Sequence, residues 1–382
     1  MFMPSPKNIS EGRRVSLDGS VLVVATGCSP ERAQLWAEVQ RLTPTHVVVP
    51  SHSHSSQTCI LPQAIHIRVL RVPGLHYTFG WHLGLRKIIR ELNPILIHGE
   101  TEPWSFLWAR LALAFRRAPI LTIHSAENRY QTPMRFRSWY RMLLSRLTLA
   151  RTDGAVGWAS PTTDALVHGG LRGKPTVTLP AHVRLRYGDP KPPGRCFMSG
   201  LRVVYVGRLV EEKGVRELVE TVLKVRGCSL RIIGAGPERV VLERNFSAQS
   251  DRIEFLGQLG AEEVRKQIRM SDVLVLPSRA TDFVVEQFGL VLLEAMAEGT
   301  AVIASEVGGI PEVVGDCGYL YDQDKPWLLA EILTKLAADD SLLEEFSRRA
   351  AARFKEWEPE AVGKRLVAFW EPLLRTDDDS YS

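Results

Sequence analysis

Two cations and two carboxylates stand at spacings that suit the binding of a polar anionic ligand. Arg208 and Lys213 flank a turn in VGRLVEEKG, which follows an apolar run and precedes a helical pattern. A helix that begins after such a turn offers N–H groups and a partial positive charge to an anion. The two cations would add charge-assisted bonds, so we expect a diphosphate there. An ordinary surface loop with basic residues would show the same pattern.

The two carboxylates, Glu286 and Glu294, are eight residues apart in EQFGLVLLEAMAEG. At 100° per residue, the side chains of residues 290–293 cover most of a helix circumference, which predicts a largely buried helix. Glu294 and Glu298 would lie about 40° apart on it. Either both face solvent on a narrow stripe, or Glu294 lies at a cleft wall and accepts hydrogen bonds from sugar hydroxyls.

Glycines follow several of the predicted strands. Gly207 would let the backbone approach a ligand closely. Gly308 and Gly309, in ASEVGGIPEVVG, form a second candidate nest of backbone N–H groups for an anion or a sugar. The GAGP stretch at 234–237 lacks the third glycine of a dinucleotide fingerprint, so it is weak support for such a site.

Histidines give a weaker signal. His124 ends a predicted strand in ILTIHSAEN and points towards the predicted cleft, whereas His98 has no assigned role. His52 and His54 have the spacing of a metal pair but no evident third ligand, so we interpret them as loop residues and expect no metal site.

Ten short apolar runs, five in each half of the chain, alternate with helical patterns. Such runs indicate parallel sheets covered on both faces, and ligands of these sheets bind outside the carboxyl ends of the strands. We therefore predict an α/β protein with two doubly wound Rossmann-like domains that face each other across a cleft. The predicted strands are 21–27, 45–50, 94–100, 119–125 and 154–160 in the first half, and 201–207, 230–236, 252–257, 272–278 and 300–305 in the second.

The domain boundaries follow from breaks in this alternation. Residues 186–200 are rich in Pro and Gly and are predicted to be a linker. The other predicted segments are a polar extension at 1–19, the N-terminal domain at 20–185, the C-terminal domain at 201–358, and a helix with a polar tail at 359–382 that returns to the N-terminal domain.

The charge distribution and the cysteine content indicate which surroundings suit the protein. Residues 1–190 contain 23 Lys+Arg and 11 Asp+Glu, a net +12, and the rest contain 25 and 32, a net −7. Residues 129–151 contain six arginines, a Trp, several Leu residues and no acidic residue. This composition favours contact with an anionic membrane surface, unless those apolar residues pack in the core. Five scattered cysteines and no run of the ~18 apolar residues needed to span a bilayer favour a cytoplasmic protein.

Taken together, these motifs resemble the family 4 glycosyltransferases, the glycogen-synthase-like group with the GT-B fold. The resemblance rests on G-R-L-x-x-E-K-G at 207–214, on E-x7-E at 286–294 with F-G inside it, and on G-G-x-P-E at 308–312. The matching motifs lie close together over residues 201–321. The first half matches only in architecture and in the strand that ends at His124.

The resemblance implies a role for each matching residue. Arg208 and Lys213, with the backbone N–H groups of Phe288, Gly289 and Leu290, would bind the donor diphosphate. Glu294 would hold the ribose of the nucleotide. Glu286 and His124 would be the catalytic residues, and both would contact the donor sugar, His124 near the reacting centre.

The implied reaction is a retaining, metal-independent hexosyl transfer from a nucleotide-diphosphate-sugar to a saccharide, lipid-linked or small-molecule acceptor. The expected partners are this donor and acceptor, without a cofactor or a nucleic acid. The first loop departs from the family, which often has two adjacent glycines, because Gly27 stands alone in ATGCSPE.

Three other classes of protein share parts of this pattern. A dinucleotide oxidoreductase is disfavoured because the first strand leads into TGCSPE and not into G-x-G-x-x-G. A sugar-nucleotide epimerase on the same two-domain fold remains open. A non-catalytic sugar-binding protein would usually have a secretion signal, which we do not find in residues 1–19, and it would not release nucleotide from a nucleotide-sugar.

Overall fold

The structure is a computed structural model that shows two α/β domains. The residues that it describes are 20–25, 29–50, 61, 64–67, 69–70, 81–115, 118–126, 136–179, 189–191, 200–249, 251–281 and 285–375.

The N-terminal domain is built on a seven-stranded parallel sheet. Its strands are β1 (Val21–Ala25), β2 (Thr45–Pro50), β3 (Ala64–Ile67), β6 (Leu96–Glu100), β7 (Ile120–Ser125), β8 (Gly154–Gly157) and β9 (Thr176–Thr178), and β4 (Val69–Leu70) pairs separately with β5 (Trp81–His82). The strand order in the sheet is β3-β2-β1-β6-β7-β8-β9. The helices are α1 (Pro30–Leu42), α2 (Leu85–Leu92), α3 (Phe106–Ala114), α4 (Phe136–Leu149) and α5 (Ser160–His168).

The C-terminal domain repeats the plan with six parallel strands in the order β12-β11-β10-β13-β14-β15. These strands are β10 (Leu201–Val206), β11 (Cys228–Ile233), β12 (Ile253–Gly257), β13 (Val273–Leu276), β14 (Ala301–Ser305) and β15 (Tyr319–Tyr321). The helices are α6 (Val215–Lys224), α7 (Arg239–Asn245), α8 (Ala261–Met270), α9 (Leu290–Ala297), α10 (Ile310–Val314), α11 (Trp327–Ala338), α12 (Asp340–Phe354) and α13 (Pro359–Arg375).

Each of the ten predicted strands is present, shorter by a few residues where the apolar run continues into a turn. Their side chains pack into a separate hydrophobic cluster on either face of each sheet, so the continuous apolar runs reflect burial on both faces. The short strands β3, β4, β5, β9 and β15 were not predicted, because they lack the continuous apolar run that surrounds the similarly short β8 and β13.

The order of strands fixes where ligands bind. In each sheet the direction of winding reverses once, between β1 and β6 and between β10 and β13. The carboxyl ends of parallel strands at such a reversal leave a crevice in which α/β proteins bind ligands. Gly207 follows β10, and Ser278 follows β13 by one intervening residue. Glu100 ends β6, where it lies opposite Ala25 of β1 and His124 of β7.

The C-terminal helix joins the two domains. Helix α13 follows the C-terminal domain, yet it packs along α1, and its side chains Leu366 and Trp370 belong to the core of the N-terminal domain. Arg365 of α13 donates a hydrogen bond to the carbonyl of Thr178, 3.2 Å away. Of the predicted linker, only residues 189–191 and 200 are described. Among the described residues, no helix is both long enough and apolar enough to cross a bilayer.

Candidate active site

Close packing sets the shape of the loop after β10. Gly207 leaves room for the hydroxyl of Tyr205, which would lie 2.7 Å from a Cβ at position 207. That hydroxyl donates a hydrogen bond to the carbonyl of Arg208, 2.8 Å away. The backbone at Arg208 is therefore held in place. Its side chain is 69% exposed, and its guanidinium lies 3.7 Å from Glu212.

Lys213 lies on a 3₁₀ turn immediately before α6. The turn ends at Gly214, which has φ +63° and sits so close to β13 that a Cβ there would lie 2.2 Å from the carbonyl oxygen of Pro277. Only glycine fits this combination of left-handed backbone and close approach. The turn directs Lys213 to the end of β13, where its ammonium forms an ion pair with Glu286.

Glu286 lies in the loop before α9 and is bonded from two sides. One of its carboxylate oxygens accepts bonds from the ammonium of Lys213 and from the hydroxyl of Ser278, the latter 3.1 Å away. Both members of the ion pair are largely buried. Ser278 was not singled out from the sequence, although it ends the apolar run that became β13.

Helix α9 begins at the cleft without a side-chain cap. Its N-cap residue, Gly289, has φ +73°, and a Cβ there would lie 2.9 Å from side-chain atoms of Leu276 and Leu292. Phe288 is buried, and its ring meets that of Trp357 edge to face at 5.4 Å. The first-turn N–H groups of α9 are therefore held at the cleft wall, where an uncapped helix N-terminus attracts an anion.

Glu294 and Glu298 do not share a solvent-facing stripe. Glu298 is only 4% exposed and pairs with Arg265 and Arg269 of α8, with Arg269 3.0 Å away. Glu294 is half-buried on α9. The alternative that both carboxylates face solvent is therefore wrong for Glu298.

Gly308 and Gly309 lie beneath the Glu286 loop. A Cβ at Gly308 would lie 1.9 Å from the carbonyl oxygen of Glu286, and one at Gly309 would lie 2.1 Å from that of Gln287. The N–H of Gly309 donates to the carbonyl of Glu286, 3.1 Å away. Close packing against this loop accounts for glycine at both positions, and a role as an anion or sugar nest stays a prediction.

His124 lies near the carboxyl end of β7, and His98 lies in the middle of β6. His124 is buried, and its Nε2 is 3.0 Å from the carbonyl oxygen of Leu179. His98 is buried beside it with a ring-centre distance of 5.8 Å, and its Nδ1 is 2.9 Å from the hydroxyl of Thr122. Burial, and secondarily His124, hold the pKa of His98 well below its ordinary 6.5, so the ring is neutral.

Glu100, which the sequence analysis did not single out, is buried next to His124. Its carboxylate lies 3.4 Å from the guanidinium of Arg32, and neither of its oxygens has a hydrogen-bond partner among the described residues. Burial raises the pKa of Glu100, and Arg32 opposes that rise. Gly27, His52 and His54 lie outside the described residues.

Seven of the predicted site residues line one cleft of about 270 Å³ between the domains. They are Gly207, Arg208, Lys213, Glu286, Phe288, Gly289 and Leu290. Trp158, from the turn after β8 of the N-terminal domain, lines it too and was missed from the sequence. Glu294, Gly308, Gly309 and His124 are not among its lining residues. No group of three or more His, Cys, Asp or Glu in the described part of the chain is arranged to hold a metal ion.

Comparison with known proteins identifies the C-terminal domain. Residues 200–339 match the family model of glycosyl transferases group 1. N-acetyl-alpha-D-glucosaminyl L-malate synthase of Bacillus anthracis is 31% identical over 184 residues, which are 46% of this chain and 46% of that protein. Phosphatidyl-myo-inositol mannosyltransferase of Mycobacterium leprae is 27% identical over 317 residues, 79% of this chain and 80% of that protein. The chain thus spans about half the length of the first of these relatives.

A solved structure extends the likeness to the whole fold. HepE of Anabaena, crystallised in complex with UDP, has a TM-score of 0.66 and 16% identity, over 92% of this chain and 100% of that one. This chain therefore has the GT-B fold, its residues 200–339 match a glycosyl transferases group 1 domain, and the predicted resemblance to the family 4 glycosyltransferases is confirmed.

Proposed function

We propose that the protein is a glycosyltransferase that moves a hexosyl group from a nucleotide-diphosphate-sugar to an acceptor hydroxyl. The observation that carries this proposal is the cleft where Arg208, Lys213 and the uncapped start of α9 converge beside Glu286. It presents two cations and helix N–H groups together with the carboxylate of Glu286, which pairs with Lys213. That combination suits a diphosphate joined to a sugar.

In the proposed complex, Arg208, Lys213 and the N–H groups at Phe288, Gly289 and Leu290 bind the diphosphate. Glu286 accepts hydrogen bonds from sugar hydroxyls, and His124 lies near the reacting centre. Glu294 holds the ribose. The UDP that HepE binds supports a nucleoside diphosphate as the ligand class.

In the proposed reaction, the bond between the anomeric carbon and the phosphate oxygen breaks, and a bond from the acceptor oxygen forms on the same face of the sugar. The bonding electrons leave with the diphosphate, and the acceptor hydroxyl gives its proton to the departing phosphate oxygen. Arg208, Lys213 and the start of α9 stabilise the negative charge that develops on the leaving group. With these groups in place, we propose that neither a divalent metal nor a cofactor is needed.

We further propose a cytoplasmic protein that rests on an anionic membrane surface and takes a lipid-linked acceptor. The support is helix α4, where Trp139, Met142, Leu143 and Leu147 are exposed and do not pack in the core. These four positions form one stripe, with the exposed Arg146 beside them. The mannosyltransferase of Mycobacterium leprae, whose name specifies a phosphatidyl-myo-inositol, is consistent with such an acceptor.

Helix α4 also follows the strand that ends next to His124, so a membrane at α4 would lie near the mouth of the cleft. One arginine of this segment is engaged with another side chain. The guanidinium of Arg141 lies 4.0 Å over the ring of Trp104, and Arg129 and Arg135 lie outside the described residues.

A thermal-shift panel of nucleoside diphosphates and nucleotide-sugars tests the proposed function, because a ligand raises the stability of the state that it binds. We expect one base to raise the melting temperature both as the diphosphate and as the diphosphate-sugar, without added metal. The matching nucleoside, which lacks the diphosphate, is the control and should have little effect. No response to any diphosphate would contradict the proposal.

A further inference from the structure

The turn that joins β8 to α5 is a point at which the N-terminal domain docks on the Glu286 side of the cleft. The N–H of Ser160, the first residue of α5, donates a hydrogen bond to the carboxylate of Glu312, 3.3 Å away in the other domain. Helix α5 has no side-chain cap of its own. Glu312 therefore caps it across the domain boundary, where a carboxylate also favours the positive end of the helix.

Ala159, the middle residue of the turn, is packed into the C-terminal domain. It is buried in the same hydrophobic cluster as Phe288 and Ile310. A Cβ at Gly309 would lie 2.6 Å from the Cβ of Ala159, so glycine at 309 allows the two domains to meet this closely. Together with the bond from Glu312, this contact fixes the turn against the loop that carries Glu286.

Trp158 is the residue that this docking brings to the cleft. It lines the same cavity as Arg208, Lys213 and Glu286, although it belongs to the opposite domain. The cations and the start of α9 suit the diphosphate, whereas the electron-rich face of an indole ring does not suit a phosphate. A hexose presents hydroxyls at its rim and C–H groups on its faces, and a large amphipathic ring such as tryptophan packs well on a C–H face.

We infer that Trp158 is a specificity-determining residue that packs against a face of the donor sugar while Glu286 binds its hydroxyls. This inference rests on the proposed function and deepens it. The nucleoside diphosphate alone makes no contact with Trp158. The residue therefore distinguishes a nucleotide-sugar from a free nucleotide, and Glu312 is a positioning residue that acts through the turn.

Titration calorimetry on the full chain tests this with two pairs of probes, UDP with UDP-glucose and GDP with GDP-mannose. The pair that the wild type binds is the one used. Trp158→Ala should weaken binding of the nucleotide-sugar at least tenfold and change the affinity for the diphosphate less than twofold. Trp158→Phe, which keeps an aromatic ring and guards against a folding defect, should recover most of the loss. Glu312→Ala should give a smaller loss with the same selectivity for the nucleotide-sugar.

Trp327→Ala is the matched control, because Trp327 is 56% exposed on α11 and does not line this cavity. It should change neither affinity. Equal weakening of both ligands by Trp158→Ala, or no weakening of either, would overturn the role of Trp158 while leaving the proposed function standing. A wild type that binds no nucleoside diphosphate of the thermal-shift panel, these two pairs included, would instead overturn the proposed function, and this inference with it.

Discussion

Lys213 and Glu286, which are 73 positions apart, form an ion pair at the wall of the interdomain cleft. The pair joins the turn before α6 to the loop before α9, so two segments from different parts of the C-terminal domain are held at one point. It also means that the charge of Lys213 is shared. A diphosphate that binds there has to compete with Glu286 for the ammonium.

The first prediction separates the two members of this pair. Glu286→Gln should leave the affinity for the nucleoside diphosphate unchanged or raise it severalfold, because the amide no longer competes for Lys213. Transfer should fall by roughly 10- to 100-fold, the loss of one charged hydrogen bond of about 1.5–3 kcal/mol. Lys213→Met should instead weaken binding of the nucleoside diphosphate. Calorimetry and initial rates measure both effects.

A matched control for Lys213→Met is Lys224→Met, at the exposed end of α6. It should bind the diphosphate as the wild type does. If Lys213→Met and Lys224→Met bind the diphosphate equally well, Lys213 is only a structural partner of Glu286.

The second prediction concerns Glu294 on α9. Glu294→Ala should weaken the nucleotide-sugar and the free nucleotide alike, because we expect it to lose one or two ribose hydrogen bonds worth about 1–3 kcal/mol in total. Glu220→Ala, on the exposed face of α6, serves as the control. Unchanged diphosphate affinity in a folded Glu294→Ala variant would remove Glu294 from the donor site.

The third prediction is a pH dependence of stability that comes from His98. Its folded pKa lies well below 6.5 through burial and His124. The unfolded chain therefore binds a proton that the folded chain excludes as the pH falls below about 6.5. The contribution of the neutral His98 ring to the free energy of unfolding is complete above about pH 6.5. As the pH falls from there towards the folded pKa, this contribution is lost at up to about 1.4 kcal/mol per pH unit.

Denaturant unfolding between pH 7.5 and 5.5 measures this effect as the difference between the wild type and His98→Asn. Glu100 changes the stability in the opposite direction on acidification, because its raised pKa lets the folded chain take up a proton at a higher pH than the unfolded chain does. Glu100 is present in both proteins, so its contribution cancels in the difference. The wild type should lose more stability on acidification than the variant does. Parallel curves would show that His98 does not exclude a proton.

The fourth prediction tests α4 by sedimentation with lipid vesicles. The wild type should bind anionic but not zwitterionic vesicles, and binding should fade as salt rises. Trp139→Ser combined with Leu143→Ser, or Arg146→Glu alone, should weaken it, the charge reversal more strongly at low salt. Arg141 is not a useful target, because its guanidinium lies over Trp104.

Arg216→Glu, an equal charge reversal on the exposed face of α6, controls for net charge and should bind like the wild type. A wild-type protein that ignores anionic vesicles at low salt would point to a water-soluble acceptor, such as a growing saccharide.

The sequence predicted the elements of the fold because their pattern is local. Each long strand is an apolar run followed by a turn, and the motifs around Arg208, Lys213 and Glu286 lie at strand ends, where the sheet brings them together. The short edge strands have no such run. Their position depends on the neighbouring strand to which they bond.

The residues whose surroundings were misjudged depend on contacts distant in sequence. Glu298 resembled a solvent-facing residue because its partners, Arg265 and Arg269, lie on another helix. Trp158 reaches the cleft only because Ala159 packs into the other domain. In such cases the residue type was visible in the sequence, but its neighbours were not.

The most direct test of the account is the release of nucleoside diphosphate from the best-binding nucleotide-sugar, measured in the presence of EDTA. A transferase with water as a poor acceptor should release the diphosphate slowly. The rate should survive the chelator and should fall sharply in Glu286→Gln. A rate abolished by EDTA and restored by magnesium or manganese would contradict the assignment of charge stabilisation to Arg208 and Lys213. Tight binding without any release, even with candidate acceptors added, would contradict the proposed transferase itself.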